Sequence, residues 1–120
     1  MPWQSVLVTD LPATSWLTVP DLVELLDSTP SRVRRLIEDR ALIAVRREGV
    51  LSVPASFVKD GEPLTELRGT IIVLADNGFS DDEIMEWLLE QNDLLDVAPI
   101  EALRAGRKAE VRRVAQALAF

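Results

Sequence analysis

The 120-residue chain carries 20 acidic and 13 basic side chains, a formal net charge of −7, and is 48% hydrophobic. That is the make-up of a globular protein, long enough for one domain with a core or two small ones packed together. It has neither cysteine nor histidine, which excludes disulfides, thiolate metal sites, and the commonest general base and metal ligand. No apolar run approaches the length of a membrane span and no signal-peptide pattern opens the chain, so a soluble, cytoplasmic protein is expected.

The net charge conceals four blocks. Residues 1–27 hold four acids and no base, and residues 28–59 hold seven bases and three acids. Residues 60–101 hold twelve acids and one base, and residues 102–120 hold five bases and one acid. An overall pI of 4.5 argues against a nucleic-acid partner, but affinity for phosphate depends on local patches. The basic block either pairs internally with the acidic one or exists to meet an anion.

Residues 1–15 have two prolines and no periodic run. They read as an N-terminal arm or a short strand, with Trp3 docking on the body. Residues 16–59 read as a winged helix-turn-helix. Trp16 is a core anchor. A first helix over 19–26 has Thr18 as cap, Pro20 in its first turn, and Leu22, Leu25 and Leu26 on one face. After a tight turn at 27–29, a second helix over 30–39 starts with Ser28 or Thr29 as cap and Pro30 at its first position. Val33, Leu36 and Ile37 face inward. The opposite face is centred on Ser31, Arg35 and Glu38, with Arg32 and Arg34 on its flanks. Two β-type runs, 42–46 and 50–54, surround Glu48-Gly49 and predict a hairpin. Residues 55–58 read as a helical turn and 59–63 as a linker.

Residues 60–120 read as a helical domain. Leu64, Leu67, Ile71 and Leu74 have helical spacing, with Asn77-Gly78 as the stop. The β-branched run at 70–73 also fits a buried strand, but the period reaching back to Leu64 favours a helix. Ser80 and Glu83 form a capping box ahead of Ile84, Trp87 and Leu88. Pro99 to Gly106 is a short helix. Val111, Val114, Ala115 and Leu118 stripe the last one. The acids at 76–83 do not make a calcium loop, because an EF-hand needs glycine at position 6 and here it falls at position 3. Nothing in the chain has the pattern of a nucleophile, a phosphate loop or a metal centre, so neither an enzyme nor a cofactor is expected.

The second helix runs against its dipole. Acids favour the first turn of a helix and bases the last. Here Arg32, Arg34 and Arg35 crowd the start, and Glu38 and Asp39 the end. The Ser80 helix obeys the rule, so a demand other than folding is implied. In helix-turn-helix proteins the start of the second helix meets base edges in the major groove, and arginine pairs bidentately with guanine. Arg46 and Arg47 flank the wing turn, where bases suit phosphate contact. Arg47 is the better placed by sequence.

The stretch "SRVRRLIEDRALIAVRREGVLSVP" resembles the excisionase and MerR-like winged-helix group, with Arg40-Ala41 where that group usually has glycine. The segments "LIAVRREGVLSVP", "NGFSDDEIMEWLLEQND", "PIEALRAGR" and "EVRRVAQALAF", in that order, resemble a small actinobacterial DNA-binding family typified by a mycobacterial substrate of serine/threonine protein kinase L. That resemblance implies sequence-specific binding of double-stranded DNA and a regulatory role at the nucleoid. Ser31, Arg32, Arg34 and Arg35 would be in the groove, with Arg46 and Arg47 on the backbone. The C-terminal part is also similar to the toxin-binding domain of Xre/MbcA/ParS antitoxins, which implies instead a protein partner, or a homodimer, engaged through the C-terminal helices. The overall expectation is a mainly α fold: a winged helix-turn-helix with a short β-hairpin wing, followed by a C-terminal helical domain. The basic last helix (Arg104, Arg107, Lys108, Arg112, Arg113) either extends a DNA footprint or pairs with the acidic block.

Overall fold

A computed structural model describes residues 15–118. The expected arm and Trp3 lie outside the described residues, apart from Ser15. The chain order is β1 (Trp16–Thr18), α1 (Val19–Leu25), α2 (Pro30–Glu38), β2 (Val45–Arg47), β3 (Val50–Pro54) and a 3-10 turn (Ala55–Phe57). Then follow β4 (Val58–Lys59), β5 (Glu62–Pro63), α3 (Leu67–Asp76), α4 (Asp81–Leu89), α5 (Pro99–Arg104) and α6 (Lys108–Gln116).

The local chemistry explains the element ends. Thr18 caps α1 through a reciprocal box. Its N–H donates to Asp21 Oδ2 at 2.9 Å, and Asp21 N–H donates to Thr18 Oγ1 at 3.4 Å. That arrangement satisfies two N–H groups that a helix start otherwise leaves unpaired. Ser80 and Glu83 do the same for α4 at 3.2 and 2.9 Å. Helix α3 begins at Leu67, three residues later than the period suggested, and Asn77 ends it with Gly78 at φ 97°. The run 70–73 is helical, so the strand alternative is excluded.

Two β features exceed the single hairpin that was expected. Strand β1 pairs antiparallel with β3, Trp16 opposite Pro54 and Thr18 opposite Ser52, giving a three-stranded sheet in the order β1-β3-β2. The stretch 59–63 is not a loose linker. Val58 pairs with Pro63 and Lys59 with Glu62, across Asp60 at φ 54° and Gly61 at φ 75°. Positive φ at both central residues makes this a tight hairpin turn, for which Asp-Gly is the favoured dipeptide. The first wing strand is also shorter than read. Leu42 and Ile43 are buried in the core just ahead of β2 rather than in it.

A single hydrophobic cluster runs through both halves, from Leu17, Leu22 and Val33 through Phe57 to Ile84, Leu103 and Val111. Phe57 is fully buried at the join. Polar ties reinforce it there. Arg104 Nη1 donates to the carbonyls of Ser56 at 2.9 Å and Val58 at 2.8 Å, and Lys59 Nζ donates to the Arg104 carbonyl at 3.1 Å. Farther along the C-terminal half, α6 packs on α3 and α5. Gly69, inside α3, makes room for this: a Cβ there would collide with the Arg112 guanidinium. A glycine inside a helix costs about 1 kcal/mol relative to alanine, so the close approach of Arg112 is what this glycine permits.

Candidate nucleic-acid interface

Helix α2 is built as its sequence demands. Thr29 Oγ1 accepts the Arg32 N–H at 3.2 Å, and Pro30 occupies the first position, where its missing N–H costs nothing. Val33 is fully buried, and Leu36 and Ile37 are half-buried against the core. Ser31, Arg32, Arg34 and Arg35 are all exposed. Ser31, Arg32, Arg35 and Asp39 line a groove of 450 Å³ with Thr29 and Leu36. Arg34 lies on the other flank of the helix.

Internal pairing of the charge blocks does not account for these arginines. Among the described residues, the only ion pairs within 4.0 Å are Arg40–Asp81 and Arg107–Glu110. One bridge therefore joins the basic block to the acidic one. Arg34 and Glu38, and Arg35 and Asp39, are four residues apart, but neither pair forms a bridge. A base placed before an acid at this spacing is the weaker orientation on a helix. Three guanidiniums thus stand in solvent on α2, but the helix ends at Glu38, so only Arg32 lies in the first turn, where the dipole opposes it by roughly 0.3–1 kcal/mol, while Arg35 falls in the last turn, where the dipole favours a base.

The wing turn is Glu48-Gly49, with φ 53° and 81°, between Arg47 and its partner Val50. Successive residues of a strand point to opposite faces. Arg47 shares a face with Val45 and Trp16, and its guanidinium carbon stands 4.3 Å from the centre of the Trp16 ring. Arg46 points to the other face, and its Nη1 donates to the Gly49 carbonyl at 3.2 Å. Each wing arginine thus has its own contact within the fold. Arg46 is held at the turn, while Arg47 is drawn back over Trp16.

Sequence reasoning missed two arginine placements. Arg40 sits at φ 67°, the left-handed conformation that ends α2, and its Nη1 contacts Asp81 Oδ1 at 2.8 Å. Its position where related folds carry glycine was the available signal. Arg104 is committed to backbone carbonyls and is therefore structural. Nothing in its spacing announced that. Arg107 hydrogen-bonds Glu110 at 2.7 Å, which raises the pKa of Arg107 and holds the Glu110 carboxyl below its ordinary value. Lys108, Arg112 and Arg113 are exposed and form no ion pair with the acidic block among the described residues.

Among the described residues, no helix is long and apolar enough to cross a membrane, and no group of acids could hold a metal ion.

Comparison with known proteins follows this division of the chain. A family model described as "DNA-binding protein Rv2175c, wHTH domain" matches residues 4–58, and one described as "Rv2175c C-terminal domain of unknown function" matches residues 64–119. The "DNA-binding protein Rv2175c" of Mycobacterium tuberculosis is 33% identical over 115 residues, covering 85% of this chain and 79% of that protein. The chain belongs to the Rv2175c family. An NMR structure of Rv2175c superposes with a TM-score of 0.81 at 32% identity, covering 92% of this chain and 84% of that one. The winged helix and the helices behind it are therefore the architecture of the Rv2175c family.

Proposed function

We propose that this chain binds double-stranded DNA and acts as a transcriptional regulator at the nucleoid, in the cytoplasm, without catalysing a reaction. Arg32 and Arg35, beside Ser31 on the grooved flank of α2, read guanine edges in the major groove. Arg34, on the other flank, takes a phosphate. Arg46 grips the backbone from the wing, and Arg47 contributes from its place over Trp16. The observation that carries this reading is that Arg32, Arg34 and Arg35 have no acidic partner among the described residues, although the chain holds 20 acids. The name of the Mycobacterium tuberculosis relative supports it.

Binding to genomic fragments across a salt series tests the proposal, with wild type compared with Arg32→Ala/Arg35→Ala. Each phosphate contact contributes about 0.9 to the slope of log K against log salt, and each lost base contact costs roughly 1–3 kcal/mol. The double variant is expected to lose sequence preference as well as affinity. An unchanged preference would reject α2 as the reading element.

A further inference from the structure

We propose that α6, together with the start of α3, forms a second phosphate-binding surface that holds the backbone of duplex DNA away from α2 and the wing. The proposal rests on the DNA-binding reading above and adds a contact that reading does not include. Lys108, Ala109, Arg112, Arg113 and Gln116 line a shallow groove of 280 Å³ on the exposed side of α6. Val111 and Ala115 bury the opposite side. Among the described residues, none of the three cations has an ion-pair partner. The one acid on the same helix, Glu110, is engaged by Arg107 at 2.7 Å.

Arg112 reaches across to α3. Its guanidinium lies over Gly69, in space that any side chain at that position would take. The next residue back along α3 is Arg68, exposed, and the only base in residues 60–101. Arg68 and the α6 cations thus stand on two helices that pack together. Spread along an open face, these charges do not form a pocket for a single anion. They suit a polymer that presents a charge about every 1.7 Å of its axis. Helix α2 packs on α1, whereas α6 packs on α3 and α5, in a molecule 42 Å long. The two basic faces therefore belong to different parts of the fold. Contact at α6 is with the backbone and is independent of sequence.

The test compares wild type, Lys108→Gln/Arg113→Gln, Arg32→Ala/Arg35→Ala, and the combination, each confirmed folded by circular dichroism. Binding to the same duplexes is measured across salt. The α6 changes are expected to lower the salt slope by about 2 in both backgrounds, since each phosphate contact contributes roughly 0.9, and to leave the preference between sequences untouched. An unchanged slope in both backgrounds overturns the proposal. So does a result in which the α6 changes only dissociate a wild-type oligomer, since that assigns the face to a second copy of the chain. Failure of the major-groove reading shows separately, as sequence preference surviving in the Arg32→Ala/Arg35→Ala protein.

Discussion

Arg40 Nη1 meets Asp81 Oδ1 at 2.8 Å, and this contact ties the residue that ends α2 to the first turn of α4. Both side chains are substantially exposed, at 40% and 58%, so the pair itself contributes at most about 1 kcal/mol. Arg40 also stands at φ 67°, where a non-glycine residue is strained. Arg40→Ala keeps that strain and loses the ion pair, whereas Arg40→Gly loses the pair and relieves the strain. The glycine variant should therefore be more stable than the alanine variant by about 1 kcal/mol. Urea denaturation of the two variants compares them directly. Equal midpoints would show that the backbone strain at this position is not felt.

Exposed Arg47 lies over half-buried Trp16, with the guanidinium carbon 4.3 Å from the ring centre. Arg47→Leu should cost about 0.5–1 kcal/mol of stability, the usual value of a cation–π contact in solvent. On the proposed function, Arg46→Ala should weaken DNA binding more than Arg47→Ala does, because Arg47 must first leave Trp16 to reach a phosphate. Titration of both variants against one duplex settles the order.

Arg104 is predicted to matter for folding. Its Nη1 donates to the carbonyls of Ser56 and Val58, at 2.9 and 2.8 Å, and so ties α5 to the 3-10 turn and β4. Hydrogen bonds from a charged donor contribute roughly 1.5–3 kcal/mol. Arg104→Gln should lower stability by about 2 kcal/mol on that scale, with unfolding remaining a single transition, since one core cluster spans both halves. Two separated transitions on guanidinium titration would contradict this.

Phe57 is fully buried where the two halves meet. Replacing it by alanine removes packing from both at once and should cost about 3–5 kcal/mol, the usual range for such a truncation. The expected signature is a lowered denaturation midpoint with an unchanged m-value.

Glu110 supplies the pH dependence. The hydrogen bond from Arg107 holds its carboxyl below the ordinary value, so the unfolded chain binds a proton there more readily than the folded one. The contribution to stability is therefore fully present above the unfolded-state pKa and is lost as pH falls through the lower, folded-state value. Carboxylate NMR titration should place the Glu110 midpoint below that of a free glutamate. Arg107→Gln should return it toward the ordinary value.

Much of this fold was legible in the residues. Caps at Thr18, Thr29 and Ser80 and stops at Asn77-Gly78 and Gly106 are local chemistry, and the helices begin and end within a few residues of them. What escaped notice was non-local. Strand β1 is three residues long and exists because β3 lies beside it. Asp60-Gly61 carried a hairpin signal, but the strands it joins are only two residues each, too short to show a period. At the candidate interface, the arginines of α2 and their exposure followed from helical spacing. The directions of Arg46 and Arg47 depended on the register of a three-residue strand, and the contact of Arg40 depended on a residue 41 positions away in sequence.

The most direct test of the central claim is an amide chemical-shift titration of the labelled chain with a duplex that it binds. The account predicts that residues 31–36 of α2 and 46–49 of the wing shift or broaden as duplex is added. Shifts that leave α2 and the wing unmoved, with the duplex bound elsewhere on the chain, would contradict it.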